Sequence, residues 1–377
     1  MANIYYAQPL AGPISHALGL PPAAAGLIVT MTQAGYGLGL LLVAPLGDLF
    51  ENRALIRTMV LLAAAALALA GVAGLPGPFL ACAMMVGVGS VAVQILVPYA
   101  SHLAPEAVRG RVVGKVMGGL MVGIMLARPA ASLVADLFSW RAVFLISSGL
   151  MLVVAAVLSR LLPPRAPDHG LSYGALMASM ARLMAQTPTL RRRALYQAAM
   201  FGAFSVFWTA TPLLLTGPRY GLSQTGVALF ALVGAAGAVS APLTGHWADR
   251  GLTRIGSALA MAAASAAFLL SRLAPEHSLW GVALLAVSGV VLDFAVTANL
   301  VFGQRAIYVL GAATRSRMNG LYMATFFVGG AISSALAGWS YAAGGWARTS
   351  LLGAALPLMA LVYFASERPD RPKAAPP

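Results

Sequence analysis

Asp293 and Arg128 are ionisable, opposite in sign, and placed inside long apolar runs of a 377-residue chain. Asp293 falls near the middle of its run, and Arg128 roughly 6 Å off the centre of its own at 1.5 Å per residue. A charge at the centre of a bilayer costs on the order of 3 kcal/mol on insertion scales, so such residues normally pair or work. Two roles are open for Asp293: a proton carrier or counter-charge to a solute, or one end of a fixed salt bridge to Arg128. Uncommon polar groups sit in the same kind of run: Tyr5, Gln8, Gln33, Tyr36, Gln94, Trp208, Asn299 and Tyr322. They suit either the wall of a wet cavity for a small-molecule substrate or hydrogen bonds between helices.

The elements that must position these residues are membrane-spanning helices. Charged residues make up 9% of the chain and hydrophobic ones 60%, against roughly 25% charged in a typical soluble domain. The net charge of +14 does not require nucleic acid, because the basic residues are segregated. Loops around 48–57, 105–115, 160–193, 250–254, 305–317 and 368–373 hold 19 of the 24 Lys and Arg. The alternate loops hold only Arg141, Arg219, Arg272 and Arg348. This bias places the first set of loops in the cytoplasm.

Hydropathy predicts helix 2 at about 22–47, then helices at 54–74, 78–100, 112–135 and 141–162. Helices 7 to 12 follow at about 194–216, 224–247, 254–272, 279–303, 318–339 and 347–366. The expected organisation is a six-helix bundle over 1–162, a cytoplasmic linker over 163–193, a second bundle over 194–366 and a tail over 367–377. Pro163, Pro164 and Pro167 open the linker, and Leu176, Met177, Met180, Leu183 and Met184 give it one amphipathic helix. Helices 3, 6, 9 and 12 are the plainest and are expected at the periphery.

The halves repeat. Asp48 and Arg53 are matched by Asp249 and Arg254, Arg109 and Arg111 by Arg315 and Arg317, and Trp140 by Trp346, at offsets of about 201 to 206. A repeat written in charged residues within an apolar chain indicates parallel duplicated halves, the architecture of secondary transporters. The fold class is therefore an all-α membrane protein of two pseudo-symmetric six-helix bundles with twelve helix positions. By the same register Gly26 pairs with Gly226, which leaves the first helix N-terminally truncated, as a start codon assigned too late would produce.

Other chemistries lack residues. Cys82 is the single cysteine, so no intrachain disulfide forms. None of the five histidines pairs with another at ligand spacing, and no GxxxxGK[ST] loop occurs. Neither a metal nor any other cofactor is expected, and an enzyme would need more than one Asp and one Arg at membrane depth.

Gly245, Asp249, Arg250 and Gly251 resemble the loop signature after helix 8 of the major facilitator superfamily. The first-half copy is weaker, with Ala44, Asp48, Leu49 and Glu51. The stretches NIYYAQPL, VLLDF and RSRMNGLYM resemble a bacterial group of drug and sugar efflux permeases within it. Two departures separate the chain from the drug antiporters: Ala83 stands where they carry a helix-4 arginine, and Arg128-Pro129 with Ser132 and Leu133 replaces a glycine-rich helix-5 motif. The resemblance implies a monomeric, multi-pass protein of the bacterial inner membrane. It also implies a cytoplasmic gate from Asp48, Arg53, Arg109, Arg111, Asp249, Arg250, Arg315 and Arg317, in which Asp249 latches helix 8 to helix 11. The expected function is proton-coupled export of a small organic solute by alternating access, with protons and the lipid bilayer as partners. The alternatives are an importer or facilitator, or an inactive scaffold if helix 1 is truly truncated.

Overall fold

Twelve helical positions follow from the apolar runs, and the computed structural model fills each of them. It describes residues 1–165, 172–275, 277–311 and 314–367. Pro167 and His169 of the linker, the basic residues at 368–373 and the tail after Glu367 lie outside the described residues.

The first position is a short turn, Ala2–Ile4, and α1 (Ala7–Ala17). At 1.5 Å per residue α1 is far shorter than a bilayer core of about 30 Å. The second is α2 (Leu27–Leu42), extended by single 3-10 turns at Pro22–Ala24 and Ala44–Asp48. Then come α3 (Asn52–Val72), α4 (Pro76–Gly89) continued by α5 (Ala92–Leu103), α6 (Arg109–Leu137) and α7 (Trp140–Leu161). The amphipathic linker stripe forms α8 (Tyr173–Gln186), which buries Leu176 and Met180.

The second half opens with α9 (Pro188–Thr216). Its next position is interrupted: α10 (Gln224–Ala231) and α11 (Ala236–Asp249) are joined by a 3-10 turn at Leu232–Ala235. α12 (Thr253–Ser271), α13 (Leu279–Tyr308) and α14 (Arg315–Ala365) complete it. α14 holds two spans, because Gly345 sits at φ 57°, where a side chain would be strained, and breaks the helix in its middle. Among the described residues, nine helices are long and apolar enough to cross a membrane, counting α14 as one and α4 with α5 as one.

The plain helices do lie outside. α3 packs on α7, and α12 on the second span of α14. All four carry exposed leucines and other large apolar residues, among them Leu69, Leu150, Leu259 and Leu351. The inner helices meet their opposite numbers directly: α2 packs on α14, α1 on α9 and α6 on α10.

At the end away from the basic loops the halves are in backbone contact. A Cβ on Gly26 would lie 2.1 Å from the carbonyl oxygen of Ser334. Thr30 Oγ1 donates to the Ala331 carbonyl at 2.9 Å, and Thr225 Oγ1 to Asp136 at 2.5 Å. At the basic end they part around a cavity of about 720 Å³, lined by Asp48, Gln94, Tyr99, Arg315, Arg317 and Asn319 among others. The protein is closed at one end and open at the other.

The linker is pinned where it leaves α7. Glu51 caps α3 by accepting from the backbone N–H of Arg53 and Ala54 at 2.8 and 2.7 Å, and it also accepts from Arg165 N at 3.2 Å. Tyr99 Oη donates to the Pro163 carbonyl. Partial burial opposes the charge on Glu51, but the three backbone N–H bonds and the Arg53 charge outweigh it and hold the carboxyl below its ordinary value. A depressed carboxyl contributes stability above its ordinary range, and that contribution is lost as the pH falls through the folded value. Acidification below about pH 4 is therefore expected to free residues 163–165 from α3. Protection of the Arg165 amide, its exchange measured against the intrinsic rate at the same pH, should fall with acid in the native protein and be low already at neutral pH in Glu51→Ala. Protection that does not change with pH would remove Glu51 from this role.

Candidate functional site

Arg128 and Asp293 are each only 3% exposed, and the fold brings them to the same place between the halves. They come from α6 and α13. The 3-10 turn between α10 and α11 runs past both: a Cβ on Gly234 would lie 2.8 Å from Arg128 Nη1, 3.2 Å from Asp293 Oδ2 and 3.4 Å from the Trp208 ring. A 3-10 interruption inside a helix commonly marks a hinge or a functional position. Here it lets main chain pass where a side chain would not fit.

The two charges face each other without closing a direct ion pair. Among the described residues the ion pairs are Arg193–Glu367 and Arg305–Asp249. Trp208 of α9 mediates instead. Its indole Nε1–H donates to Asp293 Oδ1 at 2.9 Å, and the Arg128 guanidinium lies 4.2 Å from its ring centroid. Phe204, one turn earlier, and Tyr5 flank the same guanidinium at 4.9 and 5.1 Å. Arg128 Nε donates to Gln8 Oε1 at 2.7 Å. A cation over desolvated aromatic faces gains about 2 kcal/mol per good contact, so three rings and one amide hold the guanidinium where water does not. Arg128 Nη2 and Gln8 Nε2 remain buried with no hydrogen-bond partner, as do the hydroxyls of Ser132 and Thr211.

Between this cluster and the open cavity lies an aromatic layer. Gln94 lines the cavity and donates to Tyr36 Oη at 2.9 Å. The Tyr36 ring meets Phe327 at 4.5 Å, Phe327 meets Phe201 at 4.9 Å, and Phe201 stacks on Phe204 at 5.1 Å. Rings thus run continuously from the cavity to Arg128. Gln33 joins the halves beside this layer, with Nε2 donating to Ser205 Oγ at 3.1 Å.

Of the polar residues singled out from the sequence, Tyr5, Gln8 and Trp208 meet Arg128 and Asp293, while Tyr36 and Gln94 form the step below. Asn299 and Tyr322 stand apart. Asn299 donates to Gln197 Oε1 at 2.7 Å, and Tyr322 Oη lies over Gly303 and donates to the Leu300 carbonyl at 3.4 Å. Phe204, Gln197 and Gly234 were not singled out. The first two could have been: positions 197, 201, 204, 208 and 211 alternate by four and three, which puts them on one face of α9.

Of the residues expected at the gate, Asp48, Arg315 and Arg317 line the cavity, and several of the set bond locally. Arg53 donates to the Ser159 carbonyl, Arg109 to Ser101 at 3.1 Å and Arg315 to Tyr308 at 3.2 Å. Arg111 and Arg250 are exposed. Arg317 reaches the linker helix, donating to Ser179 Oγ at 2.5 Å. Asp249 does not latch onto helix 11 as expected from the sequence. It pairs with Arg305 of α13 at 2.7 Å, the cation that its neighbouring helix presents while this end stands open.

Gly234 gives this geometry a direct test. Gly234→Val is expected to push Arg128 and Asp293 apart and, with about 1–3 kcal/mol of overpacking falling on the working geometry, to slow transport per folded molecule roughly 5- to 100-fold. Normal transport by the variant would separate this turn from function.

Known proteins place the chain in a wider group. The Major Facilitator Superfamily profile matches residues 1–314. The uncharacterized transporter YgaY of Escherichia coli O157:H7 is 38% identical over 364 residues, covering 97% of this chain and 91% of that protein. The transporter SCO4007 of Streptomyces coelicolor is 35% identical over 349 residues, covering 92% and 79%. Among solved structures, a point mutant of the nucleoside transporter NupG superposes with a TM-score of 0.72 at 13% identity, covering 97% of this chain and 98% of that one. The D-xylose-proton symporter superposes at 0.66 and 17%, covering 98% and 95%. Those two likenesses carry the fold, and the sequence relatives carry the membership: this multi-pass membrane protein belongs to the Major Facilitator Superfamily of transporters.

Proposed function

We propose that the chain is a proton-coupled secondary transporter that exports a small organic solute across the bacterial inner membrane by alternating access, with Asp293 as the proton-exchanging group. One observation carries this reading: the buried Asp293–Trp208–Arg128 chain spans the interface between the halves at the closed end of the cavity. A group that loads and unloads a proton must be reached from one side at a time, and a carboxylate where the halves meet is so placed. Trp208 couples its charge state to the cation opposite. The basic loops make the open end cytoplasmic, so this is the inward-open form. Outward direction is supported by the likeness of NIYYAQPL, VLLDF and RSRMNGLYM to efflux permeases. The domain division at 162/163 and 193/194 and the monomeric state belong to the same proposal.

Neutralising Asp293 tests it. In proteoliposomes Asp293→Asn is expected to keep solute exchange while losing accumulation driven by a pH gradient. A strut would behave differently. Removing one charge of a buried pair costs about 3–5 kcal/mol, so Asp293→Asn and Arg128→Gln would each deplete the protein, and the double variant would recover it. Normal gradient-driven transport by the double variant would overturn the proton-carrier role.

A further inference from the structure

Four buried polar groups around Arg128 lack partners, and the two nearest the guanidinium are both donors: Arg128 Nη2 and Gln8 Nε2. Such groups are uncommon in folded proteins, and each is costly when nothing accepts from it. The pattern is one-sided. Gln8 has its acceptor satisfied by Arg128 Nε and its donor left over, and Asp293 Oδ1 accepts from the indole of Trp208 rather than from Arg128. The site therefore offers a cation and an amide donor to an acceptor that the chain does not itself supply. Ser132 lies one turn beyond Arg128 on α6, and Thr211 one turn beyond Trp208 on α9. Their orphaned hydroxyls add two more groups able to donate. Phe204, Trp208 and Tyr5 wall the guanidinium with rings.

We infer that the transported solute carries an oxyanion, a carboxylate or phosphonate on a small apolar or aromatic body, and that Arg128 Nη2 and Gln8 Nε2 bind it. Arginine presents two parallel N–H groups to such an anion and is favoured wherever planar oxyanions are recognised. The inference rests on the transport reading and adds a charge balance to it. Arg128 and Asp293 are neutral together, so a bound anion competes with Asp293 for the charge of the guanidinium.

The test uses detergent-purified full-length protein, with benzoate, phenylphosphonate and neutral benzamide as probes of thermal stability. At least one of the oxyanions is expected to raise the melting temperature, and to bind at least about tenfold more tightly than benzamide. Gln8→Glu keeps the acceptor for Arg128 Nε and puts a carboxylate beside the guanidinium. It should fold, melt higher than the native protein without ligand, and lose the response to benzoate and phenylphosphonate. Benzamide acting as well as benzoate, no response to either oxyanion, or an undiminished response in Gln8→Glu would each overturn the inference. Gradient-driven transport by Asp293→Asn is read separately, so the substrate class can fail while the transport reading stands.

Discussion

A guanidinium buried between two bundles is the constraint from which most of this structure follows. Arg128 cannot lose its proton, so its charge must be answered where it lies. The chain answers with ring faces and one amide oxygen, and keeps the available carboxylate at one remove behind Trp208. A direct buried ion pair would be satisfied internally and would bind the halves to one another. An indirect one leaves the cation answerable to something else. The interruption of the helix at Leu232–Ala235 and the absence of a side chain at Gly234 both serve this arrangement, since together they let backbone pass beside the charges with no side chain between them.

The closed and open ends express the same economy. Where the halves touch, glycine, serine and threonine let backbones approach, as is usual between helices in lipid. Where they part, the wall carries charged and amide groups that water can serve. Between the two lies a stack of phenylalanines and Tyr36, with edges and faces that can slide past each other without leaving a hydrogen bond unmade.

Helix positions, the halves and the two intramembrane charges were legible in the sequence. Long apolar runs admit one structure in a bilayer, and a buried charge among them cannot be missed. The way those charges meet was not legible, because it depends on which helix faces which. Asn299 illustrates the limit. It is six residues from Asp293, which at 3.6 residues per turn turns it about 120° round α13 toward Gln197. Thr297, four residues on, stays with Asp293 beside Gly237. Gly234 carried no signal at all, since a glycine in a glycine-rich span is remarked only when its neighbours are known. The partner of Asp249 was missed for a different reason: Arg305 stands on the neighbouring α13, and no spacing in the sequence relates the two.

The linker helix touches both bundles at the mouth. Tyr173 Oη donates to the Leu42 carbonyl of α2 at 3.0 Å, while Ser179 accepts from Arg317 of α14. Six residues of α8 separate these anchors, a rigid strut of about 9 Å. Parting the mouth further would break one of these two hydrogen bonds, so α8 ties the two walls of the vestibule together and opposes its widening by about the worth of one such bond.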